Sequence, residues 1–260
     1  MSELKVMMKK VFWTFMFFGA LAQWPQVWAG LTVYPTRTEM TLAPGSKRQG
    51  VITVQNNEPK GSNIDVQVRD WVVLSENLSF KLSDWLTLQT SSFYLESEEK
   101  KTIAYTVNLP TSAVGVSAAM ISFLPDADSG VRMKLSVSLY VTAEGTEKKA
   151  WNIESVKLVM KSTGNLEANI SVINTGNVHV RPEGFLKLSK DGSELCRAVV
   201  SDTRPVYPGK DKEIVVSISN CFLEPGDYEA TLMLNSGPGK VLDKSKKFKI
   251  QNNGEIETSE

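Results

Sequence analysis

The chain has 260 residues, with 29 Lys and Arg against 29 Asp and Glu, one His and two Cys. Zero net charge removes the electrostatic case for nucleic-acid binding, because phosphate contacts need a basic excess. One His and two Cys are too few for a four-ligand zinc site, and any Ser-His-Asp or Cys-His chemistry would have to run through His179 alone.

The first 29 residues read as a leader. Lys9 and Lys10 precede an uncharged, mostly apolar run over residues 11–22, and a polar stretch containing Pro25 leads into Val27-Trp28-Ala29. This is the pattern of a secretory signal peptide over residues 1–29, cut after Ala29, with Ala20-Leu21-Ala22 as a second cleavage site. The apolar run is shorter than the ~20 residues of a spanning helix. No later segment is apolar enough to span, and no Cys follows the run to carry a lipid. The expectation is an exported protein, periplasmic or extracellular, without an integral membrane span. Cleavage after Ala29 removes Lys5, Lys9, Lys10 and Glu3, and leaves 231 residues with a net charge of −2.

The rest of the chain alternates apolar and polar residues at period two, the signature of half-buried antiparallel strands. Val51-Ile52-Thr53-Val54 ends in Asn56-Asn57. Ile64, Val66 and Val68 form the next apolar face. Ile103, Tyr105, Val107 and Leu109 form another, which Pro110 stops. Met133, Leu135, Val137, Leu139 and Val141 follow. Turn signals fall between the runs, at Ala43-Pro44-Gly45, Lys190-Asp191-Gly192, Tyr207-Pro208-Gly209 and Glu224-Pro225-Gly226. The charged segment 96–101 lies between two strand patterns and reads as a turn. No amphipathic helix is evident. The fold class expected is all-β, two tandem immunoglobulin-like β-sandwiches after a cleaved signal peptide. The polar segment 143–150 separates an N-terminal domain, residues 30–145, from a C-terminal domain, residues 146–250. Residues 251–260 are expected to be a disordered tail. A Pro-Gly turn before a strand and a strand ending in Asn (Asn56, Asn174) recur in both halves.

Few residues suggest chemistry. Cys196 and Cys221 are the only cysteines, and in an oxidising compartment they are expected to form a disulfide. His179 has apolar neighbours at alternate positions, which puts its own side on the exposed face. Asp126-Ala127-Asp128-Ser129-Gly130 begins like a calcium loop but lacks downstream ligands, and reads as a hairpin turn. No metal site, cofactor or catalytic residue is expected, and no nucleic-acid partner. After leader removal the tryptophans are Trp71, Trp85 and Trp151, with Trp71 and Trp85 expected in the core. The strand at 131–141 is either paired on both sides or an edge that exchanges main-chain hydrogen bonds with another protein. In the second case Met133, Leu135, Val137 and Leu139 would fill the partner's groove.

Several of these features together resemble a known family. The signal peptide, Val33-Tyr34-Pro35, the Pro44-Gly45 turn, the strand ending in Asn56-Asn57, Trp71, Leu109-Pro110, the alternating strand before the linker and the second sandwich are similar to periplasmic pilus-assembly chaperones (PapD-like). The resemblance implies a non-enzymatic, chaperone-like role in which the last strand of the first domain binds a pilin-like or other envelope protein. One departure accompanies it. Those chaperones anchor their subunit with an Arg in the first strand and a Lys in the last, where this chain has Leu31 and Ser138. In the second half, Asn174-Thr175-Gly176-Asn177-Val178 and Leu223-Glu224-Pro225-Gly226-Asp227-Tyr228 resemble structural or adhesive immunoglobulin-like modules of bacterial surfaces, which is the alternative.

Overall fold

The computed structural model describes residues 30–70, 81–126, 133–161, 164–202, 204–219, 221–237 and 241–258. The expected signal peptide, Trp71 and residues 127–130 of the Asp126 turn lie outside them. Two β-sandwiches follow one another along the chain, each with its own apolar core. The one helical turn among the described residues is a 3-10 segment, Leu82–Trp85.

Domain 1 contains β1 (Leu31–Tyr34), β2 (Arg37–Leu42), β3 (Lys47–Asn56), β4 (Ser62–Asp70), β5 (Leu86–Leu88), β6 (Ser92–Leu95), β7 (Lys100–Asn108), β8 (Val116–Pro125) and β9 (Leu135–Ala143). One sheet runs β1-β3-β7-β5 and the other β2-β9-β8-β4-β6. The chain changes sheets at the cis Tyr34-Pro35 bond, so β1 pairs antiparallel with β3 while β2 pairs parallel with β9. Period-two alternation turns Ile52, Val54, Ile103, Tyr105 and Val107 inward from one sheet to meet Ile64, Val66, Ile121 and Phe123 of the other. Trp85 packs partly buried against this core. Residues 96–99 make the expected turn, with Glu98 at φ 61° and the Glu96 N–H donating to the Glu99 carboxylate at 2.8 Å.

Domain 2 contains β10 (Trp151–Met160), β11 (Leu166–Asn174), β12 (Glu183–Lys190), β13 (Ser193–Ser201), β14 (Asp211–Ile218), β15 (Gly226–Asn235), β16 (Leu242–Ile250) and β17 (Ile256–Thr258). Its sheets are β10-β11-β14 and β13-β12-β15-β16-β17. The segment expected to be a disordered tail is a correction. Ile256 packs against the domain core, and β17 pairs antiparallel with β16 through Phe248–Thr258, Lys249–Glu257 and Ile250–Ile256. A single apolar residue in a polar stretch suffices, because the neighbouring edge strand supplies the main-chain partners.

The expected disulfide is present. Cys196 of β13 joins Cys221, just past β14, with a Cα–Cα distance of 5.9 Å. It therefore ties the edge of one sheet to the end of the other. Each domain also buries one asparagine at the end of a strand. Asn56 and Asn174 are 2% and 0% exposed. Their side chains make the same local pattern. Asn56 Oδ1 accepts from the Glu58 N–H at 3.0 Å, and its Nδ2 donates to Lys60 O at 2.8 Å. Asn174 Oδ1 accepts from the Gly176 N–H at 2.9 Å, and its Nδ2 donates to Val178 O at 2.8 Å and Val206 O at 2.9 Å. The recurrent strand-ending Asn is thus the organiser of the following loop in both halves, since only a short amide can satisfy an N–H two residues on and a carbonyl four residues on.

Two outcomes test this account. Replacing Cys196 and Cys221 by Ser is expected to cost domain 2 about 3 kcal/mol, from a bridge between residues 25 apart, read as a fall in the denaturant midpoint. Asn174→Ala, which takes the side-chain partner from the Val178 carbonyl and the Gly176 N–H while Val206 O keeps the Val180 N–H, is expected to cost about 2–4 kcal/mol, measurable in the same unfolding experiment.

Candidate functional site

The strand singled out by its alternation is β9, and the structure divides it in two. From Ser138 to Thr142 it is paired on both sides, with β8 antiparallel and β2 parallel, and the Ser138 N–H donates to Thr36 O at 3.0 Å. From Leu135 to Val137 it pairs with β8 through Phe123–Leu135, Ser122–Ser136 and Ile121–Val137. β2 begins opposite Ser138, so no described strand covers the other side of residues 135–137. An open edge of this kind leaves main-chain donors and acceptors available to a second chain.

The four residues expected to donate their side chains do not stay together. Val137 and Leu139 are 1% and 0% exposed and belong to the core of domain 1. Their place in the donating set is corrected: the face they share points between the two sheets of their own sandwich. Leu135 is partly buried at the margin of that core, and Met133 is 46% exposed. The apolar material beside the open edge is therefore Met133 and part of Leu135. Leu31, at the position where the resembling family has Arg, is buried in β1. Ser138 lies opposite Arg37 in the β2–β9 register, and Arg37 reaches Glu39 at 3.4 Å.

Above the open edge, β8 and β9 run into the junction with domain 2. A small buried cluster joins Val116, Ala118 and Tyr140 of domain 1 to Val178 and Tyr207 of domain 2, and the two tyrosine hydroxyls hydrogen bond at 3.0 Å. The segment between β9 and β10 is pinned rather than loose. Asn177 Nδ2 donates to Thr146 O at 2.8 Å, the Lys148 N–H donates to Asn177 Oδ1 at 2.6 Å, and the Asn177 N–H donates to Lys148 O at 3.0 Å. The Val116 N–H donates to Asn177 O at 3.0 Å. At Gly115, with φ of 68°, a Cβ would collide with that same carbonyl, so glycine is needed both for the backbone angle and for the close approach.

Charge completes the joint. Glu39 of β2 receives Arg181 at 2.9 Å and His179 Nε2 at 3.6 Å across the domain boundary. The Tyr140 ring lies 4.6 Å from the His179 ring and 5.3 Å from the Arg181 guanidinium. His179, expected on an exposed face, is a further correction, with a side chain only 10% exposed. Alternation correctly put it opposite Val178 and Val180, but what covers that face is domain 1 rather than water. Burial, followed by the positive charge of Arg181, holds its imidazole down to about 4, against the pull of Glu39. Its Nδ1 is buried without a hydrogen-bond partner among the described residues. Burial and the bond from Tyr140 push the Tyr207 hydroxyl well above its ordinary range. Sequence reasoning missed Glu39, Arg181, Tyr140, Tyr207 and Asn177, whose pairings join residues far apart in the chain and leave no local signal.

Among the described residues, no three His, Cys, Asp or Glu side chains are grouped to hold a metal. What the arrangement offers is a stiff two-domain body with an open strand edge.

No protein-family model matches the chain, and no curated protein is similar to it in sequence. Solved structures are similar in overall shape. The YadV chaperone is 12% identical, with 84% of this chain and 100% of that one covered and a TM-score of 0.47. The CsuC–CsuE chaperone–tip adhesion subunit pre-assembly complex of Acinetobacter baumannii gives 13%, 83% and 98%, with a TM-score of 0.48. The CupB2 chaperone of Pseudomonas aeruginosa gives 13%, 88% and 97%, with a TM-score of 0.45.

The buried imidazole sets a pH dependence. Its folded pKa lies below the unfolded value of about 6.5, so the unfolded chain binds the extra proton between the two. Stability is then retained above pH 6.5 and falls as pH drops from 6.5 toward 4, by up to about 1.4 kcal/mol per pH unit. Thermal unfolding over that window is expected to be flatter for His179→Gln than for the parent.

Proposed function

We propose that this is an exported, non-enzymatic binding protein of chaperone-like type. It holds a pilin-like or other envelope protein by adding a strand of that protein to the open half of β9. The observation that carries this reading is the uncovered main chain at 135–137 beside Met133 and Leu135, in a strand whose other inward-facing apolar side chains, Val137, Leu139 and Val141, are taken by its own core. The leader-like first 29 residues support export, and no helix among the described residues is long and apolar enough to cross a membrane. The sequence resemblance to pilus-assembly chaperones points the same way. With Leu31 and Ser138 where those chaperones have their Arg and Lys, the proposed grip runs through the edge and its apolar flank, and capture of a terminal carboxylate at those two positions is no part of it.

The energetics suit a modest, specific grip. Each main-chain hydrogen bond gained contributes about 0.5–1.5 kcal/mol net, and burying a side chain such as Met133 or Leu135 contributes about 1.5–3 kcal/mol. A second reading, a structural or adhesive surface module, draws on the double pairing of β9 from Ser138 onward and on the pinned joint.

Recovery of partners bound to the protein in the periplasm separates the two. Met133→Glu touches a half-exposed side chain outside the core, so folding is expected to survive while partner recovery falls at least tenfold. Leu135→Glu is expected to do the same with some loss of stability. Undiminished partner binding by a folded Met133→Glu protein would favour the structural module.

A further inference from the structure

We propose that Glu58 is the acceptor for the α-ammonium group created at Gly30 when the leader is cut after Ala29. The inference rests on the export reading above, and adds to it a built receptor for the processed terminus. Gly30 sits where the β1–β3 ladder begins. Its carbonyl accepts the Asn57 N–H at 2.9 Å, next to the Leu31–Asn56 pair, so its position is set by the fold that follows it. It is buried. A Cβ on Gly30 would collide with Oε1 of Glu58, lie 3.2 Å from its Cδ and come within 3.1 Å of Met133 Cε. The Glu58 carboxylate therefore lies directly over the Gly30 Cα, one covalent bond from the nitrogen that cleavage would free.

Glu58 is itself held in place. Its N–H donates to Asn56 Oδ1 at 3.0 Å and its carbonyl accepts from Ser97 Oγ at 2.8 Å. The surrounding cavity, about 500 Å³, is also lined by Lys60, Tyr94, Asp126 and Met133. Of its two carboxylates, that of Asp126 is engaged by Asn63 Nδ2 at 2.9 Å, which leaves Glu58 as the one facing Gly30. Cleavage places a new positive charge beside the exposed Glu58 carboxylate, which is the counter-charge nearest to it, and a solvent-accessible ion pair of this kind contributes about 0–1 kcal/mol. A larger residue at position 30 would have to push the Glu58 carboxylate and the Met133 methyl aside. Hydrolysis of the Ala29–Gly30 peptide bond consumes one water. It leaves a carboxylate on the leader and an ammonium on Gly30.

The test begins with the protein exported by a secreting host. Its intact mass is expected to correspond to a chain starting at Gly30. A start at Gln23 would overturn the proposal while leaving export intact, and an uncut chain would overturn both. On the mature protein, Glu58→Gln is expected to lower the thermal midpoint by roughly 2–4 °C. In a chain carrying one additional Ala before Gly30, which moves the amine away, the same substitution is expected to change the midpoint by much less. An equal loss in the two backgrounds, or no loss in either, would overturn the pairing.

Discussion

The buried amide of Asn174 is the interaction on which the two-domain body rests. It closes the end of β11 onto Val178 O and Val206 O and shapes the loop that follows. Every domain-2 residue that loop sends to the joint depends on that shape. Asn177 grips the segment between the domains, Val178 enters the shared apolar cluster, and His179 and Arg181 meet Glu39. A polar group in a dry place is an expensive device, and a fully satisfied one specifies a single loop conformation. The joint inherits that single conformation, so the angle between the sandwiches is determined by packing and hydrogen bonds and not by a flexible tether.

The switch of the first strand between sheets does the corresponding work for β9. By leaving β3 at Tyr34-Pro35 and joining β9 opposite Ser138, the chain covers most of what would otherwise be a long exposed edge. Long bare edges invite promiscuous pairing. A short one permits only a few main-chain bonds, so in the proposed binding the choice between partners would fall to the side chains beside it. In domain 1 those are Met133, a flexible and polarizable residue that adapts to different grooves, and Leu135.

Local periodicity made much of this legible, and its limits are equally physical. Alternation identified the strands, their inward faces and the turns between them, and two cysteines in one half implied their bridge. The repeated strand-ending Asn was visible as a pattern, although its side-chain hydrogen bonds were not. Alternation states which residues share a face, but not what body covers that face. That is why Val137 and Leu139 looked available for a partner when their own sandwich takes them, and why His179 looked wet when another domain covers it. The parallel pairing of β2 with β9 joins segments about a hundred residues apart, and Ile256 recruits a tail strand only because an edge is already waiting. Choices of that kind belong to tertiary structure and are not written in any short window.

Both cysteines lie in domain 2, and the described part of domain 1 is held together without a covalent cross-link. The two halves therefore mature under different chemical conditions. Domain 2 gains its last increment of stability from an oxidant, and thiol–disulfide exchange can withdraw it. The half that carries the open edge is indifferent to the redox state around it. Its described fold is held by burial and hydrogen bonding alone, without an oxidant.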